Sequence, residues 1–307
     1  MNMRVLITGI YGQDGRILSK IYKKKGHKVY GFVKEKKKTE NLFYQNTVEK
    51  IFVNNLINLP KVIFDLNIIK PNLIIHLAAN NVDAGKENNF FKYYFLNIFF
   101  FINIFFSYLL FHKGAKFLLA GSAMMHQKNN LNFINENSEF LPMNYYGKYK
   151  VHAHKIMVYF KKILKLKCTT LILFNHDSKY RNRSFLYPRI IKSLLKKDIL
   201  SLKKIIKKNL FLDLSHAEDI CNLIYNISCS KKNFDKLILS SGKFSSVNKI
   251  IKPYFKKKNY FKKNIKPTYG LVGDNNLVKK EYNFSPKKNS SVAFKEILHT
   301  IKFLDKA

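Results

Sequence analysis

The chain has no tryptophan, three cysteines, seven prolines, twelve glycines and, among 56 basic residues, only five arginines. Each shortage excludes something. Cys168, Cys221 and Cys229 form no Cys-x-x-Cys pair and leave an odd count. That argues against a disulfide framework or a cysteine zinc site, so no metal is expected and a reducing cytoplasm is the compartment that fits. Glycine and proline are too scarce for a fibrous or low-complexity chain. Acidic residues are scarce as well: 19 stand against 56 Lys+Arg, a formal charge of +37. A basic segment followed by an apolar stretch and a small-residue cleavage site is missing from the N-terminus, where Met3–Thr8 reads as a strand, so no secretory leader is expected.

What is present is a core. Apolar residues make up 47% of the 307 and aromatics 15%, enough for one large or two small domains and too much for pervasive disorder. The positive charge would attract polyanions. However, the bases fall in short runs, at 23–25, 34–38, 203–208 and 256–263, and form no single stripe. Solvated lysine faces, from a general drift toward Asn, Ile, Phe and Lys, explain them more simply than a nucleic-acid surface. No nucleic-acid partner is expected, and a non-catalytic basic nucleic-acid binder is kept as an alternative. Three of the five arginines, Arg181, Arg183 and Arg189, lie within nine residues, which points to a required guanidinium there. The run Phe95–Phe111 is 17 residues long, at the short limit for a membrane span, but carries Asn97, Asn103 and Ser107. It is read as a core and dimer-interface helix.

Strands are expected at Arg4–Thr8, Lys28–Val33, Lys50–Val53, Leu73–Leu77, Lys116–Ala120 and Thr169–Phe174, with helices around 15–25, 60–69, 90–113 and 146–166. This βαβ rhythm implies an α/β fold, a doubly wound parallel sheet. A nucleotide-binding domain is assigned to 1–174, with a late strand near 235–241 rejoining its sheet. Residues 175–307 are read mainly as a smaller C-terminal substrate-binding lobe over the carboxyl ends of the strands.

The first strand runs into Gly9-Ile10-Tyr11-Gly12-Gln13-Asp14-Gly15. Glycines at this spacing, between strand and helix, let the backbone turn under a pyrophosphate at a helix N-terminus. After the second strand a nicotinamide-dinucleotide binder usually carries an acid for the ribose hydroxyls; here stands Lys34, which suits a 2′-phosphate, so NADP(H) is the expected cofactor. Tyr146 and Lys150 share a helix face at i and i+4. The ammonium there would lower the phenol's pKa and make it a proton donor or acceptor. Ser122, just past the fifth strand, adds a hydroxyl for a substrate alcohol or carbonyl. Together these residues suit hydride transfer.

The arrangement resembles the extended short-chain dehydrogenase/reductase family with its Rossmann-type sheet, and within it the nucleotide-sugar branch typified by GDP-mannose 4,6-dehydratase. The resemblance runs from residue 5 to about 286. It is carried by the Gly-Gln-Asp-Gly ending at 12–15, by Pro71–Ala79, and by Leu173-Phe174-Asn175-His176-Asp177-Ser178. Asp213-Leu214-Ser215-His216-Ala217-Glu218-Asp219 and Gly273-Asp274 with Tyr282–Pro286 complete it. It implies catalytic roles for Ser122, Tyr146 and Lys150. It implies cofactor contacts at Gly9, Gly12, Gln13, Asp14, Gly15, Lys34, Asn55, Leu56, Leu77, Ala78, Ala79, His176 and Arg181, and substrate contacts at Asn175 and Arg189. A GDP-linked sugar is the implied substrate, and a homodimer through the 90–113 and 146–166 helices the implied assembly.

The departures matter as much. The dehydratases place a glutamate two residues after the catalytic Ser/Thr; here it is Met124, which cannot take a proton. Leu212 replaces an arginine near the substrate phosphates, Asn55 an aspartate and His126 a tyrosine. The segment after the second strand is short, which counts against the tetramer contacts some relatives build there. The residues therefore favour a 4-keto reductase or 4-dehydrogenase; the alternative is a dehydratase using another base, His126 or Asp83.

Overall fold

In the computed structural model the described residues are 2–36, 41–80, 90–126, 131–255 and 270–304. Strands and helices alternate through the first half: β1 (Arg4–Thr8), α1 (Gln13–Lys24), β2 (Lys28–Val33), α2 (Asn41–Gln45), β3 (Lys50–Val53), α3 (Leu59–Ile69), β4 (Leu73–His76), α4 (Phe90–Phe111) and β5 (Lys116–Ala120). A short 3-10 turn (Ala123–Met125), β6 (Leu131–Ile134), α5 (Tyr145–Leu164), β7 (Cys168–Leu173) and β8 (Asn175–Asp177) follow. The rest is α6 (Leu186–Leu195), α7 (Ile199–Lys207), β9 (Phe211–His216), α8 (Ala217–Cys229), β10 (Lys236–Leu239), β11 (Phe244–Ser246), α9 (Val247–Ile251), β12 (Gly270–Gly273), α10 (Asn276–Tyr282) and α11 (Ser290–Leu304).

Seven strands form one sheet in the order β10-β7-β5-β4-β1-β2-β3. The pairings β1–β2, β1–β4, β2–β3, β4–β5 and β5–β7 are all parallel. Every residue of β4 and of β5 is buried, as a sheet covered on both faces requires. The six strands expected from the sequence are present within one or two residues, and the late strand is the edge strand β10. The helices expected from the sequence did not include α8, whose Ile220, Leu223, Ile224 and Ile227 are buried.

The chain divides into two compact units. The first holds residues 1–126, 139–172 and 221–237; the second holds 127–138, 173–220 and 238–307. In the first unit, α3, α4 and α5 pack side by side, with Phe101, Ile104, Phe105 and Tyr108 of α4 facing Phe117 and Met157 in the core. Phe91, Phe95, Phe99, Phe106 and Leu110 face outward, so α4 is apolar on both faces but buried on one. Among the described residues, Phe91–Phe111 is the stretch long and apolar enough to cross a membrane; its place as a layer on the sheet accounts for half of that character. The second unit contains the sheet β11-β9-β8, the pair β12-β6, and a core of Tyr187, Ile190, Ile191, Leu214, Val247, Phe294 and Ile297.

Candidate active site

In the first unit β1 delivers the chain into the glycine turn. Gly9 has φ +69°, and a β-carbon on Gly15 would come within 2.4 Å of the Ile10 carbonyl oxygen. Only bare backbone fits there. Gly12 caps α1 without any side-chain hydrogen bond, and Asp14 lies in the helix's first turn. The Tyr44 hydroxyl donates to the Ile10 carbonyl (2.5 Å) and fixes the turn from below. A backbone cradle of this kind, opening at a helix N-terminus, fits a dinucleotide pyrophosphate. Lys34 is exposed at the end of β2. Sequence reasoning passed over Arg16, whose Nε donates to the Tyr11 carbonyl (3.3 Å) while the guanidinium lies 5.2 Å from the Phe43 ring centre. Its signal was the scarcity of arginine.

The strand ends next to β1 carry the other expected cofactor residues. The Thr8 hydroxyl oxygen accepts from the Ala78 amide (3.1 Å) and hydrogen-bonds His76 Nδ1 (2.9 Å), tying β1 to the turn that holds Leu77, Ala78 and Ala79. His76 is wholly buried; burial, then the nearby Lys150 charge, pushes its pKa down to about 3. Asn80 and the α4 side chain of Asn97 exchange two hydrogen bonds (2.7 and 3.1 Å). After β3, Asn55 is exposed and Leu56 buried.

Ser122 follows the end of β5, and α5 carries Tyr146 and Lys150 against that end of the sheet. Asn144 caps α5 by accepting from the Gly147 amide (2.7 Å), which sets Tyr146 in the first helical turn. Lys150, four residues on, reaches back so that Nζ donates to the Ala120 carbonyl (2.5 Å). Its Nζ lies 5.5 Å from the Tyr146 ring centre and 4.9 Å from that of Tyr149. Burial pushes the Lys150 pKa down to about 7. The Ser122 oxygen accepts from the Met124 amide (3.2 Å), opening the 3-10 turn that packs on α5. Met124 is 37% exposed, with Sδ 3.8 Å from Asn144 Nδ2. His126 is buried, its Nδ1 bonded to the Glu139 carbonyl (2.8 Å), and burial lowers its pKa. Its Nε2 is buried and makes no hydrogen bond among the described residues. Asp83, the other candidate, lies outside the described residues.

The second unit holds the remaining expected residues. Asn175 is exposed on β8, and His176 beside it is buried with Nδ1 bonded to the Phe174 carbonyl (2.6 Å). Arg181 pairs with Asp177 (2.7 Å) and lies 3.6 Å from the Phe185 ring centre. Arg189 is exposed on α6. The 213–219 segment is architectural. The buried Asp213 carboxylate accepts from the amides of Ser241 (2.7 Å), Gly242 (3.3 Å) and Gly273 (3.2 Å), and burial raises its pKa to about 6. Asp219 accepts from the amides of Lys287 (2.9 Å) and Lys288 (2.8 Å).

A family model described as GDP-mannose 4,6 dehydratase matches residues 6–294. The chain belongs to that family. The human GDP-mannose 4,6 dehydratase is 25% identical over 266 residues, covering 81% of this chain and 71% of the relative. GDP-mannose 4,6 dehydratase 2 of Caenorhabditis elegans is 24% identical over 262 residues, covering 79% and 67%. Among solved structures, a UDP-glucose 4-epimerase from Thermotoga maritima superposes with a TM-score of 0.82 at 17% identity, covering 99% of both chains. A dTDP-glucose 4,6-dehydratase from Bacillus anthracis, in complex with NAD, gives 0.81 at 13% identity, covering 98% and 97%. These neighbours share the Rossmann-type fold. Family membership makes the chain an NAD(P)-dependent nucleotide-sugar enzyme of the short-chain dehydrogenase/reductase type.

Proposed function

We propose that the enzyme uses NADP(H) and interconverts a 4-hydroxyl and a 4-keto group on a GDP-linked hexose or deoxyhexose, as a 4-keto reductase or 4-dehydrogenase, without eliminating water. The observation that carries this reading is Met124. It sits one residue past the start of the 3-10 turn, against the first turn of α5, and by the resemblance this is the position of the dehydratases' glutamate. Dehydration needs a proton removed at C5, and a thioether cannot accept it.

The nicotinamide, when bound, supplies the hydride acceptor or donor. The glycine turn and α1 would hold the pyrophosphate, Lys34 and Arg16 would face the 2′-phosphate end, and Asn55 with Leu56 would meet the adenine. His176 and Arg181 complete the proposed cofactor contacts; Asn175 and Arg189 would meet the sugar nucleotide. Ser122 donates a hydrogen bond to the substrate oxygen at C4. In reduction Tyr146 gives its phenolic proton to that oxygen as C4 gains the hydride, and regains one from solvent; in oxidation both flows reverse. Lys150 in its ammonium form stabilises the phenolate between these steps.

The exposed stripe of Phe91, Phe95, Phe99 and Phe106 on α4, with Tyr159 and Ile163 on α5, supports a homodimer through these helices. We assign the enzyme to the cytoplasm, without a metal. The test is incubation with GDP-mannose, and separately with its 4-keto-6-deoxy product plus NADPH, followed by mass spectrometry. Reduction of the second without loss of water from the first is expected; dehydration of GDP-mannose would overturn the reading.

A further inference from the structure

We propose that Asn103 of α4 is a positioning residue for the adenine end of the cofactor. It holds the Asn55–Leu56 segment in a backbone shape that the segment would not keep by itself. The proposal rests on the cofactor reading above, in which this segment meets the adenine.

Leu56 has φ +62°, a left-handed conformation that leucine rarely adopts. Three residues pin it there. Asn103 Nδ2 donates to the Leu56 carbonyl (2.8 Å) and to the Ile57 carbonyl (2.9 Å). Asn54 Oδ1 accepts from the Leu56 amide (2.9 Å), while Asn54 Nδ2 donates to Asp65 Oδ2 on α3 (2.8 Å). The twist puts the Leu56 side chain, 3% exposed, into the core and leaves Asn55 outside at the carboxyl edge of the sheet. Asn103 is itself buried in a mostly apolar helix. A buried amide is costly unless it is bonded, and both hydrogen bonds donated by Asn103 Nδ2 go to this one turn. The polarity of Asn103 is thus spent on the turn and not on the helix, whose own carbonyl at 103 is served by the Ser107 hydroxyl (2.7 Å).

The test uses ADP as the adenine-bearing probe, titrated by calorimetry into the full-length protein. Asn103→Leu keeps the volume and removes the donor. It should weaken ADP binding about tenfold, equivalent to about 1.4 kcal/mol, and speed hydrogen exchange across residues 54–58. Ser107→Ala breaks a bond one turn along the same helix without touching the turn at Leu56. It should lower the thermal midpoint yet leave ADP affinity within about twofold. If Asn103→Leu does not fold, Asn103→Ser, with a shorter side chain that cannot span to both carbonyls, carries the same expectation. Unchanged ADP affinity in a folded Asn103 variant overturns the proposal. So does an equal loss in Ser107→Ala, which would make the effect one of helix stability. Wild-type protein that keeps residues 54–58 protected but binds no ADP overturns the cofactor reading, and this proposal with it.

Discussion

Gly147 of α5 lies so close to Met124 that a β-carbon on it would come within 2.1 Å of the Met124 carbonyl oxygen. The obstacle is backbone, so it cannot swing aside. Gly147→Ala should push the first turn of α5 away from the 3-10 turn and carry Tyr146 away from Ser122. A displacement of about 1 Å can cost on the order of 10²-fold in rate. Steady-state kinetics should show that loss in kcat, with ADP affinity by calorimetry unchanged.

On the proposed reading, Met124→Glu would restore a carboxylate at the position where the resemblance implies the dehydratases' glutamate. A positioned base contributes roughly 10²–10⁴-fold, so the variant should begin to release water from GDP-mannose, read as a mass loss in the product. Wild-type protein that already does so efficiently would remove the premise.

Tyr146→Phe should lower hydride transfer by about 10²–10⁴-fold while cofactor stays bound, because one proton is deleted and little volume. Burial lowers the Lys150 pKa to about 7, so its ammonium form is lost as pH rises through neutrality. For a reaction that needs this charge, kcat/KM should fall above about pH 7, and a flat profile to pH 9 would show that it does not.

Lys34→Glu should exchange cofactor preference, weakening NADP(H) and strengthening NAD(H). Calorimetry at one fixed salt concentration decides it, since a charge at an exposed site is screened.

Acid should destabilise the protein before neutral alkali does. Burial lowers His76 to about 3 and His154 to about 4 from a usual 6.5. Below 6.5 the unfolded chain therefore binds protons that the fold refuses, and stability falls with pH. Asp213 acts in the opposite sense. Raised to about 6, it adds stability that is fully present below its unfolded value near 3.8 and lost as pH rises through 6. Two imidazoles outweigh one carboxyl, so the urea midpoint should drop between pH 7 and pH 5. His154→Gln, which keeps a partner for Thr170, should flatten that drop.

The parallel sheet was legible because its central strands are short apolar runs buried on both faces, such as Phe117–Leu119 in β5. The glycine turn was legible because Gly9 and Gly15 sit where side chains do not fit. Periodicity could not reveal how α4 divides its phenylalanines between core and surface, since both faces carry them. The second unit was read poorly for a different reason: β8, β11 and β12 are three or four residues long, and their pairing joins segments far apart in the chain. Nor did sequence expose His126 as buried, because a lone histidine carries no sign of which backbone carbonyl will claim it.

The chain crosses between the two units five times, and the first is not complete until residue 237. During synthesis, therefore, more than three quarters of the polypeptide must emerge before the nucleotide-binding unit can close. A truncation after β7 would leave the sheet without its edge strand β10 and expose a ready template for intermolecular pairing. Gene fragments that end between 174 and 236 should accumulate as aggregates, and the two units cannot be exchanged among relatives as contiguous cassettes.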